Sequence, residues 1–97
     1  MPSGQPFLEK TVGIISAVGN VTYRKMMGEY LLYLDGKLFG GIYDDRLLLK
    51  KTPSLLGMMP DAEFAIPYEG AKEMVFIPDP EKCEGLAETV REMCKTL

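Results

Sequence analysis

The dipeptide Asp35-Gly36 sits between two apolar runs, Tyr30 to Leu34 and Lys37 to Tyr43, and no other feature constrains the chain as tightly. Asp-Gly accepts the positive φ angles of a two-residue primed turn, so the flanking runs are expected to pair as an antiparallel hairpin. A second dipeptide, Asp44-Asp45, joins Tyr43 to Arg46 and Leu47, and Asp tolerates turn geometry by hydrogen-bonding its local backbone. The stretch Val21 to Lys51 therefore holds a three-stranded meander, around which the rest of the chain packs.

With two residues in each turn, Leu34 faces Lys37, Leu32 faces Phe39 and Tyr43 faces Arg46, and cross-strand partners share a face. One face then carries Leu31, Tyr33, Leu38, Gly40, Ile42, Leu47 and Leu49, without a charge, and is the expected core face. The other carries Tyr30, Leu32, Leu34, Lys37, Phe39, Gly41, Tyr43, Arg46, Leu48 and Lys50. Aromatics and leucines interleaved with three cations suit neither a solvated surface nor a core. Two readings stay open. Another segment or a second subunit covers this face, with the cations snorkelling at its rim. Alternatively, it is a binding surface on which Tyr30, Lys37, Phe39, Tyr43, Arg46 and Lys50 meet a partner.

The same region carries a resemblance. Tyr23-Arg24-Lys25-Met26-Met27-Gly28-Glu29-Tyr30, then Gly40-Gly41-Ile42-Tyr43-Asp44-Asp45-Arg46-Leu47, and later Pro67-Tyr68-Glu69-Gly70-Ala71-Lys72-Glu73-Met74, resemble the signature segments of the N-terminal domain of the TfoX/Sxy family. Residues 1–97 would then be one such domain standing alone. The resemblance implies a two-layer α/β sandwich similar to secretion chaperones and to small stand-alone bacterial domains. Two-domain members of that family regulate natural competence alongside the cAMP receptor protein, and the resemblance reaches only their N-terminal half.

A chain of 97 residues with 46% hydrophobic and 26% charged content suits a single domain with one modest core. Its net charge of −3 is unevenly spread. Residues 21–51 hold six cations against four anions, net +2, which leaves −5 for the remainder. A +2 patch is weak beside ordinary salt screening, so direct nucleic-acid binding is expected to be weak or absent. With no histidine, Cys/His zinc sites, serine triads and Cys-His nucleophiles are excluded. No catalytic, metal or cofactor site is expected. Cys83 and Cys94, eleven positions apart on one expected helix, would be separated by about 16 Å along its axis, too far for a disulfide. They should be reduced, buried small hydrophobes on one helix face. MPSGQPFLEK lacks the pattern of a secretory leader, and no window approaches the roughly 18 apolar residues of a membrane span. A cytoplasmic protein with no membrane contact is expected.

In chain order, Phe7, Leu8, Val12, Ile15 and Val18 recur at helical spacing from Gln5 to Val18, and Gly19-Asn20 supplies a stop. Val21 to Met27 approaches the sheet or forms a strand of its own, with Gly28 allowing a bend or bulge, and Met26 and Met27 read as core fillers ahead of a ligand-contacting pair. Gly40-Gly41 within a strand marks a bulge or a close backbone approach. Thr52 and Pro53 open a short helix ended by Pro60. A short strand is expected near Phe64 to Ile66, and a last strand from Glu73 to Ile77 with both faces covered. Asp79 and Pro80 then open a final helix that carries both cysteines and an outward row of Glu84, Glu88 and Glu92.

The expected fold is thus α+β: a two-layer sandwich with a mainly antiparallel sheet of about four to five strands and the N- and C-terminal helices packed on it. The expected function is that of a non-enzymatic regulatory or interaction domain working through protein contacts, with a homodimer as one form of contact. A direct nucleic-acid binder using the aromatic and basic face is the alternative, and a small enzyme the second alternative.

Overall fold

Helix α1, Gln5–Ile15, opens the described part of the computed structural model, which covers residues 4–97. Pro6 lies in its first turn, where the lost N–H matters least. The helix runs on through a 3₁₀ turn, Ser16–Val18. Thr11, the buried polar side chain of α1, donates its hydroxyl to the Phe7 carbonyl at 2.9 Å.

Four strands follow as a continuous antiparallel meander: β1 Val21–Met26, β2 Glu29–Leu34, β3 Lys37–Tyr43 and β4 Arg46–Leu49. All three turns have two residues, and both residues of each lie in the left-handed region: Met27 (φ 52°) and Gly28 (84°), Asp35 (48°) and Gly36 (85°), Asp44 (55°) and Asp45 (56°). These are primed turns, whose twist matches that of the strands they join. Of the two readings of Val21 to Met27, the strand holds: Val21–Met26 pairs with β2 along its whole length, from Val21 opposite Leu34 to Met26 opposite Glu29, and adds a fourth strand to the three-stranded meander. As an edge strand, β1 is exposed almost throughout and carries Arg24 and Lys25, charges that blunt edge-to-edge aggregation.

The register between β2 and β3 corrects the face assignment. Leu34 opposes Lys37 as expected, and Tyr33 opposes Leu38, but Leu32 opposes Gly40 and Tyr30 opposes Ile42. Phe39 is the extra residue of a β-bulge, so Leu32 does not face it. A one-residue offset exchanges the faces of a strand. Tyr30, Leu32 and Leu34 therefore join Ile42, Leu47 and Leu49 in the core, while Leu31 and Tyr33 turn to the opposite face, half-buried. The bulge brings the three large side chains of β2 onto the same side as the buried side chains of β3 and β4, which straight two-residue hairpins cannot do.

After β4, Thr52 caps helix α2, Pro53–Met58, by accepting the Leu55 N–H at 3.1 Å. Strands β5, Glu63–Ala65, and β6, Met74–Ile77, complete the sheet. Its order is β1-β2-β3-β4-β6-β5, every neighbouring pair antiparallel. The α+β expectation holds, with six strands where about four to five were expected. In β6, Val75 and Ile77 are buried but Met74 and Phe76 only half so, and its second face is incompletely covered.

The final helix also differs from expectation. Asp79 caps as expected, accepting the Glu81 N–H at 3.1 Å, yet only a 3₁₀ turn, Pro80–Lys82, follows. Gly85 adopts φ 71°, a conformation a right-handed helix cannot continue through, and helix α3 begins afresh at Leu86 and ends at Cys94. Cys83 and Glu84 thus precede α3, and the two cysteines share no helix face. Leu8 and Ile15 of α1, Leu55 of α2, and Leu86, Val90 and Met93 of α3 pack in one cluster with the buried face of the sheet. All three helices therefore lie on that side.

Both thiols are free, Cys94 buried and Cys83 half-buried, and burial pushes both thiols above the ordinary thiol range. A raised pKa keeps a thiol protonated and unreactive to higher pH, and stability falls as alkaline pH rises from the unfolded thiol's pKa through the raised folded value, where burial penalises the thiolate. Dithiothreitol should therefore leave the melting temperature unchanged. Labelling by a disulfide reagent at neutral pH should be much slower in the native protein than in urea; equal rates would contradict the burial.

Candidate protein-interaction groove

The six residues expected to form one partner face are divided by the bulge. Tyr30 (7% exposed) and Phe39 (0%) lie in the core, with the Tyr30 ring edge-on to Tyr23 at 5.6 Å. Lys37 lies on the same helix-bearing side, opposite Leu34, and donates its Nζ to the Cys94 carbonyl at 3.1 Å, placing a cation at the C-terminal end of α3, where the helix dipole favours it. Tyr43, Arg46 and Lys50 are found elsewhere. Tyr43 is buried outside the main cluster, and Arg46 and Lys50 are half-buried.

Arg46 works as a clamp. Its Nε donates to the Tyr43 carbonyl at 3.2 Å and an Nη to the Ile66 carbonyl at 3.3 Å, tying the segment before Pro67 to the β3–β4 turn. Glu29, at the start of β2, accepts the Asp44 N–H at 3.0 Å and holds the first hairpin beside the same turn. Tyr68 then lies against Tyr43, ring centroids 6.4 Å apart. The three sequence motifs 23–30, 40–47 and 67–74 are brought together here: Met26, Met27, Glu29, Tyr43, Pro67 and Tyr68 line a groove of about 540 Å³. Burial, followed by the nearby Tyr68 and Glu29, pushes the Tyr43 phenol above the ordinary tyrosine range, so it stays neutral and able to donate a hydrogen bond at physiological pH.

A second hollow of about 730 Å³ adjoins the first, sharing Tyr43, Pro67 and Tyr68 as a common wall, and Lys50, Lys51 and Lys72 are among its lining residues. Lys51 is engaged, with Nζ 3.1 Å from the Glu73 carboxylate and 5.0 Å from the centre of the Phe64 ring.

Met27 is the unexpected member. Expected as a core filler, it is 95% exposed at the tip of the first hairpin. It also holds a left-handed backbone conformation that a non-glycine residue adopts at a cost of about 1–3 kcal/mol, with Asn and Asp the usual exceptions. Neither turn chemistry nor packing calls for methionine there. Met27→Asn should therefore raise stability by about 1 kcal/mol, measured as a shifted denaturation midpoint; unchanged or lowered stability would show that the turn is unstrained. With Met26 (46%), Ile66 (53%) and Tyr68 (62%), Met27 makes an exposed apolar rim. Alternation along β3 and β4 placed Tyr43 and Arg46 on one face. The groove's remaining walls depend on where the loop after β5 lands, which no local pattern encodes.

Among the described residues no cluster of three or more His, Cys, Asp or Glu side chains could hold a metal ion, and no helix is long and apolar enough to cross a membrane. The family model of the TfoX N-terminal domain matches residues 14–87. A similar curated protein, "Uncharacterized 12.7 kDa protein in trpE 5'region" of Spirochaeta aurantia, is 43% identical over 49 residues, covering 50% of this chain and 43% of that protein.

Proposed function

Because the chain belongs to the TfoX N-terminal domain family, matched over residues 14–87, we propose that it is a non-enzymatic, competence-regulator-like domain acting through protein contacts in the cytoplasm. The contact surface is the groove between the first hairpin and the loop after β5. One observation carries this reading: the three motifs that define the resemblance, distant in sequence, meet at that groove around Tyr43. Of the six residues first expected to touch a partner, Tyr43 lines the groove, Lys50 lines the adjoining hollow, and Arg46 clamps the loop that walls both. Tyr30 and Phe39 lie in the core, and Lys37 bonds the last carbonyl of α3.

Direct nucleic-acid binding is less favoured because Tyr30 and Phe39 are closed to base stacking. Lys50, Lys51 and Lys72 would neutralise about three phosphates, giving a salt slope near about −3 and weak affinity at physiological salt. The test is affinity capture from cytoplasmic extract with the wild type, Tyr68→Asp, and Lys82→Glu as a surface control distant in sequence from the groove. A polypeptide retained by wild type and Lys82→Glu but lost with Tyr68→Asp is the expected outcome. Capture that ignores Tyr68→Asp would remove the groove from the proposal.

A further inference from the structure

Resting on the reading of the groove as a contact surface, we propose that its occupant is a peptide segment of a partner protein with carboxylates at one end and large apolar side chains at the other. It crosses the Tyr43–Tyr68 pair so that its acidic end enters the lysine-lined hollow and its apolar end meets Met26 and Met27.

The two adjoining hollows differ in chemistry while sharing a wall, so a segment filling both must itself be two-ended. At the basic end, Lys51 is already paired with Glu73. Lys50 and Lys72 are lining residues of the same hollow; neither side chain has a hydrogen-bond or ion-pair partner among the described residues, and the Lys50 charge also acts on the Cys94 thiol. Carboxylates from outside complement them. At the other end the rim is methionine, a side chain flexible enough to fit varied apolar shapes, and Met27 is presented at a hairpin tip in a strained backbone conformation that only an interaction beyond this chain would reward. A polyphosphate chain running the same course would leave the lysines and meet methionine and the Glu29 carboxylate, so a peptide fits the whole length better than a nucleic acid. A second copy is disfavoured as occupant because the acidic row of α3, Glu88 and Glu92, is helical and Glu92 is already bound to Lys95 at 2.8 Å.

Fluorescence anisotropy with labelled synthetic peptides of about twelve residues, near physiological ionic strength, tests the occupant. The first probe has three glutamates followed by leucine and phenylalanine. A second replaces the glutamates by lysines, a third replaces the apolar residues by serines, and single-stranded oligo(dT) is the fourth. The first should bind at least about tenfold more tightly than the others, a difference of about 1.4 kcal/mol. Its binding should weaken about tenfold in Lys50→Glu/Lys72→Glu and again in Met27→Asn, a variant whose fold is expected to be more stable. Equal binding of the lysine probe, tighter binding of oligo(dT), or affinity unchanged in these variants would each overturn the proposal. So would concentration-dependent dimerisation abolished by Met27→Asn, which would make a second copy the occupant. If no probe binds while Tyr68→Asp still abolishes capture, the acidic–apolar occupant is wrong and the contact surface stands.

Discussion

Leu32→Ala should destabilise the protein by about 2 to 5 kcal/mol, whereas Leu31→Ala, one position away, should cost much less. Leu32 is fully buried among the core residues of the sheet and helices, while Leu31 is half-buried on the face without helices. Truncating Leu32 removes the transfer free energy of three carbons and leaves a cavity that the surrounding structure can only partly close. Against a typical total stability of about 5 to 15 kcal/mol, that is a large fraction. Ile42→Ala and Leu47→Ala belong to the same class, since both side chains are fully buried in the same cluster. Urea denaturation of the pair decides the register of β2. Equal midpoints for Leu31→Ala and Leu32→Ala would contradict the bulge, and a larger loss for Leu31→Ala would restore straight two-residue hairpins with Leu31 and Tyr33 inside.

That contrast also shows where sequence patterning stops being sufficient. Asp35-Gly36 and Asp44-Asp45 are local chemistry, so their turns could be located from the chain alone. Both faces of β2 are rich in large apolar residues, so alternation could not say which faces inward. The choice was made by a bulge in the neighbouring strand. Met27-Gly28 does not read as a two-residue turn, because methionine is a poor occupant of a left-handed position. The apolar spacing of Cys83, Leu86 and Val90 suits a helix longer than the one that forms, and nothing local shows that Gly85 takes a positive φ. For the groove, Tyr43, Arg46 and Lys50 were within reach of strand patterning. Pro67 and Tyr68 sit on a loop whose position depends on the Arg46 clamp, a contact across twenty residues.

Gly40→Ala is expected to be the most damaging of the conservative substitutions, costing about 3 kcal/mol or more. A Cβ at Gly40 would run into the Leu48 carbonyl oxygen and lie 3.0 Å from the Leu49 Cα. Both obstacles are backbone atoms of the paired strand β4, so no rotamer change can relieve the clash and the strands must separate. Separation would disturb the ladder that buries Ile42, Leu47 and Leu49, and the bulge beside Gly40 would move with it. Arg46 and Tyr43, which build the groove, lie on the same two strands, so the damage should extend to the contact surface. Gly13→Ala is the control: it lies inside α1 with nothing within 4 Å of the added methyl, and should stabilise by about 0.5 to 1 kcal/mol through better helix propensity. Thermal melts of the two variants should move in opposite directions. A Gly40→Ala protein melting with the wild type would mean that β3 and β4 do not approach so closely.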